Sequence, residues 1–264
     1  MARLDLVAAV LAAGLACAAP AGAGDVRAAH VIATLEPDGV VDLIQQVTLH
    51  GPKATPSQWE VVMQQGELFA QPSLVVNDRR FFPGDGRTPG TFRVSRGSRG
   101  IRFDWLQPAG TGTARIGYRL ALLGTAYSDV VDLRVPVWEG EWPGGVRRLT
   151  AALRLPRTPR GRTFAWVEPD SLATTVTKTP NQIRMSASGV PEHTPVTLRV
   201  VIPRRVLSSV AAVNVRSGPA LATILSERDG RRRSWWPWAL AAVAAIGVSA
   251  VALRTARSRR LRPR

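Results

Sequence analysis

The octapeptide Arg115-Ile116-Gly117-Tyr118-Arg119-Leu120-Ala121-Leu122 places an apolar side chain at every second position, with Arg115, Gly117 and Arg119 between them. Period two is the side-chain period of an extended strand with one dry face and one wet face. On a helix the same residues would scatter around the circumference. The pattern recurs upstream. Val41, Leu43, Val47 and Leu49 alternate with Asp42, Gln46 and Thr48, and the turn Pro37-Asp38-Gly39 joins that run to residues 26–35 as a hairpin. Phe92 and Val94 flank Arg93. Then Arg96-Gly97-Ser98-Arg99-Gly100 turns the chain into Ile101, Phe103 and Trp105, with Arg102 and Asp104 opposite.

Downstream, Leu149, Ala151, Leu153 and Leu155 alternate with Arg148 and Arg154 until Pro156 stops them. Ile183, Met185 and Ala187 form another run, and Val196, Leu198, Val200 and Ile202 close the series before Pro203. Eight or more short strands with Gly/Pro turns and little helical periodicity before residue 206 predict an all-β fold. A β-sandwich is the leading architecture and a closed barrel the lesser alternative. The alternation predicts that Phe103, Trp105, Tyr118, Leu120, Leu153 and Leu198 are buried and that Arg102, Arg119, Arg154 and Arg199 are solvated. Past residue 208 the character changes. Leu221, Ile224 and Leu225 after Ser217-Gly218-Pro219 suggest a short amphipathic helix in a stalk near a membrane surface.

Both ends of the chain are apolar. Arg3 precedes an uncharged stretch from Leu6 to Ala16, Pro20 breaks it, and Ala21-Gly22-Ala23 offers a cleavage site before Gly24. That is the layout of a secretory signal peptide, with an uncleaved anchor as the alternative because Asp5 weakens the basic start. Cys17 reads as a passenger of that peptide, since Gly14 stands where lipoprotein processing wants a large apolar residue. Residues 235–253 carry no charge and would span about 28 Å as a helix, against a hydrocarbon core of about 30 Å. Trp235, Trp236 and Trp238 gather at one end, where aromatic rings settle among headgroups, and Arg254 begins the basic flank at the other. Six arginines follow the segment and three precede it, which favours a cytoplasmic C-terminus. Ala241, Ala245 and Ser249 form a small-residue stripe of a kind that alanine-rich segments show by chance.

The expected layout is a signal peptide over 1–23, an extracytoplasmic β-sandwich domain over 24–205, a stalk over 206–234, a transmembrane helix over 235–253 and a basic cytoplasmic tail over 254–264. The formal charge of +16 reads differently once divided along the chain: residues 25–205 carry +7, and the segment from 206 onward carries +9. More than half the excess therefore lies beside the expected membrane helix, where arginines set topology and attract anionic lipid. Membrane lipid is the expected partner, with an envelope protein or glycan possible and nucleic acid excluded for an exported domain. Only Lys53 and Lys178 are lysines, a skew that fits a GC-rich bacterial genome. Without Cys17 the mature chain has no cysteine, hence no disulfide framework, thiol nucleophile or cysteine-based zinc site.

The order of features resembles a family of bacterial membrane proteins, domain of unknown function 2207. His30-Val31-Ile32 through Asp38-Gly39 to Gln45-Gln46-Val47-Thr48 is similar to the family's opening hairpin. Residues 101–105, Gly117-Tyr118-Arg119-Leu120, the segment from Trp142 to Leu155-Pro156, and Val200-Val201-Ile202-Pro203 follow in the family's order. The resemblance covers about residues 28–205. Gln45 stands where members often carry an acidic residue, the tryptophan expected near Val135 is missing, and so are further membrane helices. The resemblance implies an exported β-domain on a membrane anchor and brings no activity with it.

Chemistry is sparse. His30, His50 and His193 show no metal-ligand spacing, and serine-nucleophile, P-loop and dinucleotide motifs are absent, so neither metal nor cofactor is expected. Asp129 and Asp132 flank Val130-Val131, and Glu139-Gly140-Glu141 precedes Trp142. Carboxylates beside tryptophans suit a sugar site, and they suit a solubilised loop beside core aromatics equally well. Trp138, Glu139, Glu141 and Trp142 are the candidate ligand contacts, because loops on a rigid β-scaffold carry function. The leading expectation is a membrane-anchored, non-catalytic domain that binds or scaffolds an envelope component; a glycan-binding or, less readily, glycan-processing module is the alternative.

Overall fold

The computed structural model describes residues 25–51, 55–64, 66–139 and 145–234. The first half contributes β1 (Asp25–Leu35), β2 (Val41–Gly51), β3 (Thr55–Val62), β4 (Leu68–Val76), β5 (Arg79–Pro83), β6 (Thr91–Arg96), β7 (Gly100–Gln107) and β8 (Gly110–Ala121). The second adds β9 (Gly124–Ala126), β10 (Val130–Trp138), β11 (Val146–Arg154), β12 (Phe164–Glu168), β13 (Thr174–Thr179), β14 (Gln182–Val190), β15 (Val196–Pro203) and β16 (Asn214–Val215), then helix α1 (Leu221–Ser234). The fold is all-β apart from α1 and a short 3-10 turn. An eleven-stranded sheet runs β13-β14-β11-β1-β2-β8-β4-β5-β6-β7-β3, and a five-stranded sheet runs β12-β15-β10-β9-β16.

The two sheets share one apolar core. Alternate residues of the large sheet (Val31, Leu43, Ile116, Leu120, Leu153, Ile183) meet Val131, Leu133, Val135, Leu198 and Val200 of the small one. All six side chains expected in the core are buried. The opening hairpin forms at Pro37-Asp38-Gly39, where Gly39 has φ +99° and Asp38 Oδ1 accepts from the Val40 N–H at 3.1 Å. β1 also pairs in parallel with β11, Ala28 opposite Arg148, so the hairpin becomes the middle of the sheet.

The large sheet is not flat. β5 and β6 are joined through only two residue pairs, Phe82 with Thr91 and Pro83 with Phe92. β7 lies four strands from β8, which would separate them by about 19 Å in a flat sheet. Yet the Phe103 ring of β7 sits 6.4 Å from Tyr118 of β8 and 6.0 Å from Phe69 of β4. The β6-β7-β3 part therefore curls over and seals the core from the side.

Several expectations change here. Arg154 is exposed as expected, while Arg102 and Arg119 are half-buried and paired with Asp104 and Asp42. Arg199 is only 1% exposed: it points away from the core as the alternation predicts, but α1 covers that face. The described part of the segment expected as a stalk packs on the domain and closes one end of it. Ser208 and Ala212 donate N–H bonds to Pro37 O and Asp38 O at 2.9 and 3.1 Å, β16 pairs with β9, and Ala220 and Ile224 bury against Val130, Trp166 and Val201. The expected signal peptide (1–23) and membrane helix (235–253), with Trp235, Trp236, Trp238 and Arg254, lie outside the described residues. Among the described residues no helix is long and apolar enough to cross a membrane.

Candidate functional site

The outer face of the small sheet carries a buried cluster of charged side chains. On antiparallel β10 and β15, Arg134 stands directly opposite Arg199, with Asp132 two residues along the same face. Like charges facing each other across a strand pair are unfavourable unless something compensates. Asp132 compensates one of them: Arg199 Nε and Nη2 donate to its Oδ1 and Oδ2 at 2.9 and 2.8 Å, a bidentate pair. Arg199 Nη1 reaches Glu168 Oε1 at 3.4 Å, and Glu227 of α1 lies 4.0 Å away. Burial alone would weaken protonation of Arg199; the Asp132 and Glu168 carboxylates outweigh it and hold the guanidinium above its ordinary range.

Trp166 ties this cluster to the helix. The guanidinium carbons of Arg199 and Arg228 lie 5.1 and 4.9 Å from its ring centroid, and its Nε1 donates to Glu168 Oε1 at 3.2 Å. The start of α1 is fixed by Asp129, which accepts from the Ala220 and Leu221 N–H groups at 2.9 and 3.1 Å. Desolvation would raise the Asp129 carboxyl, but those N–H bonds prevail and lower it. Two of the N–H groups at the helix start are thus satisfied from within the chain.

Between this face, the 214–220 segment and the β3–β4 connection opens a cleft of about 520 Å³. Arg134, Arg199 and Arg216 line it, with Glu67, Asp132 and Glu227 as the acidic members. Arg134 and Arg216 make no ion pair among the described residues. Burial raises the Glu67 carboxyl, and the Gln64 N–H bond to Oε2 at 2.8 Å partly offsets that. Two exposed large apolar residues are sequence neighbours of lining residues: Leu68, next to Glu67, is 61% exposed, and Val215, next to Arg216, is 65% exposed. The arrangement suits a small ligand that brings anionic groups to two unpaired guanidiniums.

The residues expected from the sequence lie elsewhere. Trp138 is 1% exposed and meets Trp59 edge-on, centroids 5.3 Å apart at 73°, so it offers no open ring face. Glu139 is buried beside it, while Glu141 and Trp142 lie outside the described residues. Asp129 and Asp132 serve the helix start and Arg199. His30 and His50 bond Thr150 and Thr111 hydroxyls at 2.7 and 2.8 Å, and exposed His193 sits 3.3 Å from Glu192. Among the described residues no group of three or more metal-ligating side chains forms. Inside the core, the Gln45 amide and the Tyr118 hydroxyl find no hydrogen-bond partner among the described residues. Burial, and then the Glu139 and Glu67 carboxylates, push the Tyr118 phenol well above its ordinary range. The sequence reading missed Arg199, Arg134 and Arg216. The one available signal was a charge inside the run Leu198-Arg199-Val200-Val201, which strand alternation assigns to a solvated face.

Comparison with known proteins places the chain in a family: it belongs to the predicted membrane proteins described as DUF2207, whose N-terminal domain matches residues 25–202. Comparison with curated proteins gives no match. Solved structures give distant likenesses. A provisionally assigned nutrient-binding protein of Legionella pneumophila matches at TM-score 0.41 and 8% identity, over 68% of this chain and 70% of that one. An M1 zinc metallopeptidase of Deinococcus radiodurans matches at 0.37 and 12%, over 67% and 42%. Yeast LTA4 hydrolase in complex with bestatin matches at 0.39 and 10%, over 67% and 28%.

Proposed function

We propose that this member of the DUF2207 family is a single-pass membrane-anchored module, with its β-domain outside the cytoplasm and its C-terminus inside, that binds a small anionic component of the cell envelope without transforming it. One observation carries the reading: Arg134 and Arg216, unpaired among the described residues, share a cleft of about 520 Å³ with the buried Arg199. That volume falls within the roughly 300–1,000 Å³ of small-molecule sites. Planar, permanently charged guanidiniums recognise carboxylate and phosphate through paired N–H donors. Asp132 already neutralises Arg199, so the open valence belongs to the other two. The membrane anchor and the outward orientation rest on residues 1–23 and 235–253 and on the arginine imbalance around the latter. The glycan reading now rests on Glu141 and Trp142 alone, since Trp138 is enclosed.

The test is thermal unfolding of the full chain in detergent against succinate, citrate, phosphate and pyrophosphate. Ligand at one hundred times its Kd adds about 2.7 kcal/mol, a rise of several degrees. The rise should vanish in Arg134→Ala with Arg216→Ala. Stabilisation by none of these anions, or stabilisation that survives the double substitution, would refute an anion site in this cleft.

A further inference from the structure

The two ends of the β-domain are built differently, and the described chain enters and leaves on the same side. The end at the Pro37-Asp38-Gly39 turn is closed by the 208–213 segment. β1 starts at the opposite end, where Asp25 pairs with His50, His50 with Thr111 and Gly51 with Gly110. α1 begins at the closed end, on Asp129, and runs away from it: Ile224 meets Val130 and Val201, and Arg228 then meets Trp166. Both ends of the described residues therefore lead away from the closed end. Among the described residues no segment closes this second end, which presents the turns Asn77-Asp78 and Pro108-Ala109 and is called the open end below. Between them lies a groove of about 740 Å³ lined by half-buried Leu106, exposed Pro108 and the buried Val76 and Phe81, with Arg79 and Arg80 also in its lining. Asp78 is engaged by Arg115, whereas exposed Arg79 and Arg80 make no ion pair among the described residues. Apolar lining beside two uncompensated arginines is the composition of a lipid-contact surface.

We infer that this open end rests on an anionic phospholipid surface, with Arg79 and Arg80 on lipid phosphates and the groove between the two turns facing the acyl boundary. The inference relies on the membrane-anchor reading above. Its consequence is a fixed posture, with the arginine cleft and the closed end turned toward the envelope.

The experiment uses the full chain, with Cys17→Ser, in nanodiscs of phosphatidylcholine alone or mixed with phosphatidylglycerol, each containing headgroup-nitroxide lipid as quencher. A fluorophore is placed on Ala109→Cys at the open end or on Ser217→Cys at the cleft. The Ala109 probe should be quenched several-fold more than the Ser217 probe in phosphatidylglycerol. Arg79→Glu with Arg80→Glu should lower the docked-to-undocked ratio by ~5-fold for each arginine charge lost. The milder Arg79→Gln with Arg80→Gln carries the same test should the reversal express poorly. Equal quenching at the two sites, or quenching indifferent to both lipid charge and the substitutions, overturns the inference. Extraction of the chain by alkaline carbonate would overturn the anchor and the inference together; retention with an unquenched Ala109 probe overturns the inference alone.

Discussion

Arg119 and Arg199 occupy equivalent places on two different sheets. Each points away from the core, and each pairs with an aspartate from a neighbouring strand: Asp42 for Arg119, Asp132 for Arg199. The outer face of the large sheet stays open, and Arg119 keeps a third of its side-chain surface in water. The outer face of the small sheet receives α1, and Arg199 loses nearly all of it. Strand parity decides which way a side chain points. What arrives later in the chain decides whether that direction is wet.

The sharpest way to break this contrast is to remove the two aspartates in turn. Asp132→Ala leaves a buried guanidinium short of its main partner and should cost about 3–5 kcal/mol. Asp42→Ala, at an open face, should cost about 0–1 kcal/mol. Denaturant unfolding of the full chain in detergent, followed by circular dichroism, measures both; equal losses would mean that α1 does not desolvate Arg199. Asp132→Leu with Arg199→Met should recover most of the loss, because an apolar replacement removes the need for a partner.

A smaller effect isolates the helix. Asp129→Ala frees the Ala220 and Leu221 N–H groups and should cost about 0.5–2 kcal/mol, in line with lost helix caps. The Asp129 carboxyl titrates lower in the folded chain than in the unfolded one, so its contribution is present above the unfolded value and fades as pH falls through the folded one. The slope of stability against pH in that acid window should flatten in the variant. An unchanged slope would separate Asp129 from the helix start.

The smallest expected change has the opposite sign. Burial raises the Glu67 carboxyl, so the folded chain holds that proton longer and stability falls as pH rises from the unfolded value to the folded one. Glu67→Gln keeps an acceptor for the Gln64 N–H and removes the charge. It should therefore unfold slightly later than the parent at neutral pH, with that part of the pH profile gone. Earlier unfolding at neutral pH would show that the ionised carboxylate is stabilised by something in the cleft, such as Arg134 or Arg216.

Where the apolar residues kept strict alternation with polar ones, the sequence was legible: β2, β7, β8, β11 and β15 were all readable, even though α1 later covers the outer face of β15. β10 was not, because both its faces are covered and the register shifts between Pro136 and Trp138, so Val137 and Trp138 are buried in succession. Its Asp132 therefore resembled a loop carboxylate, and Trp138 a loop aromatic. The cleft was unreadable for a different reason. Its members come from positions 64–67, 122–134, 199 and 214–227, and the seating of α1 and β16 on the small sheet brings them together. No local spacing encodes that meeting.

β1 has two neighbours made at very different times. Its hairpin partner β2 follows within a few residues, but its parallel partner β11 arrives some 120 positions later, Ala28 opposite Arg148. A chain threaded N-terminus first therefore holds a long strand with one unsatisfied edge while the next 120 or so residues emerge. Such an edge recruits any extended segment nearby, including the same strand of another copy. Contacts so distant along the chain also make assembly slow. The domain closes only when β11 slots in and β14 covers β11 in turn, so a fragment ending before residue 146 would carry its most aggregation-prone strand half-dressed. The late-made partner is the latch of this fold.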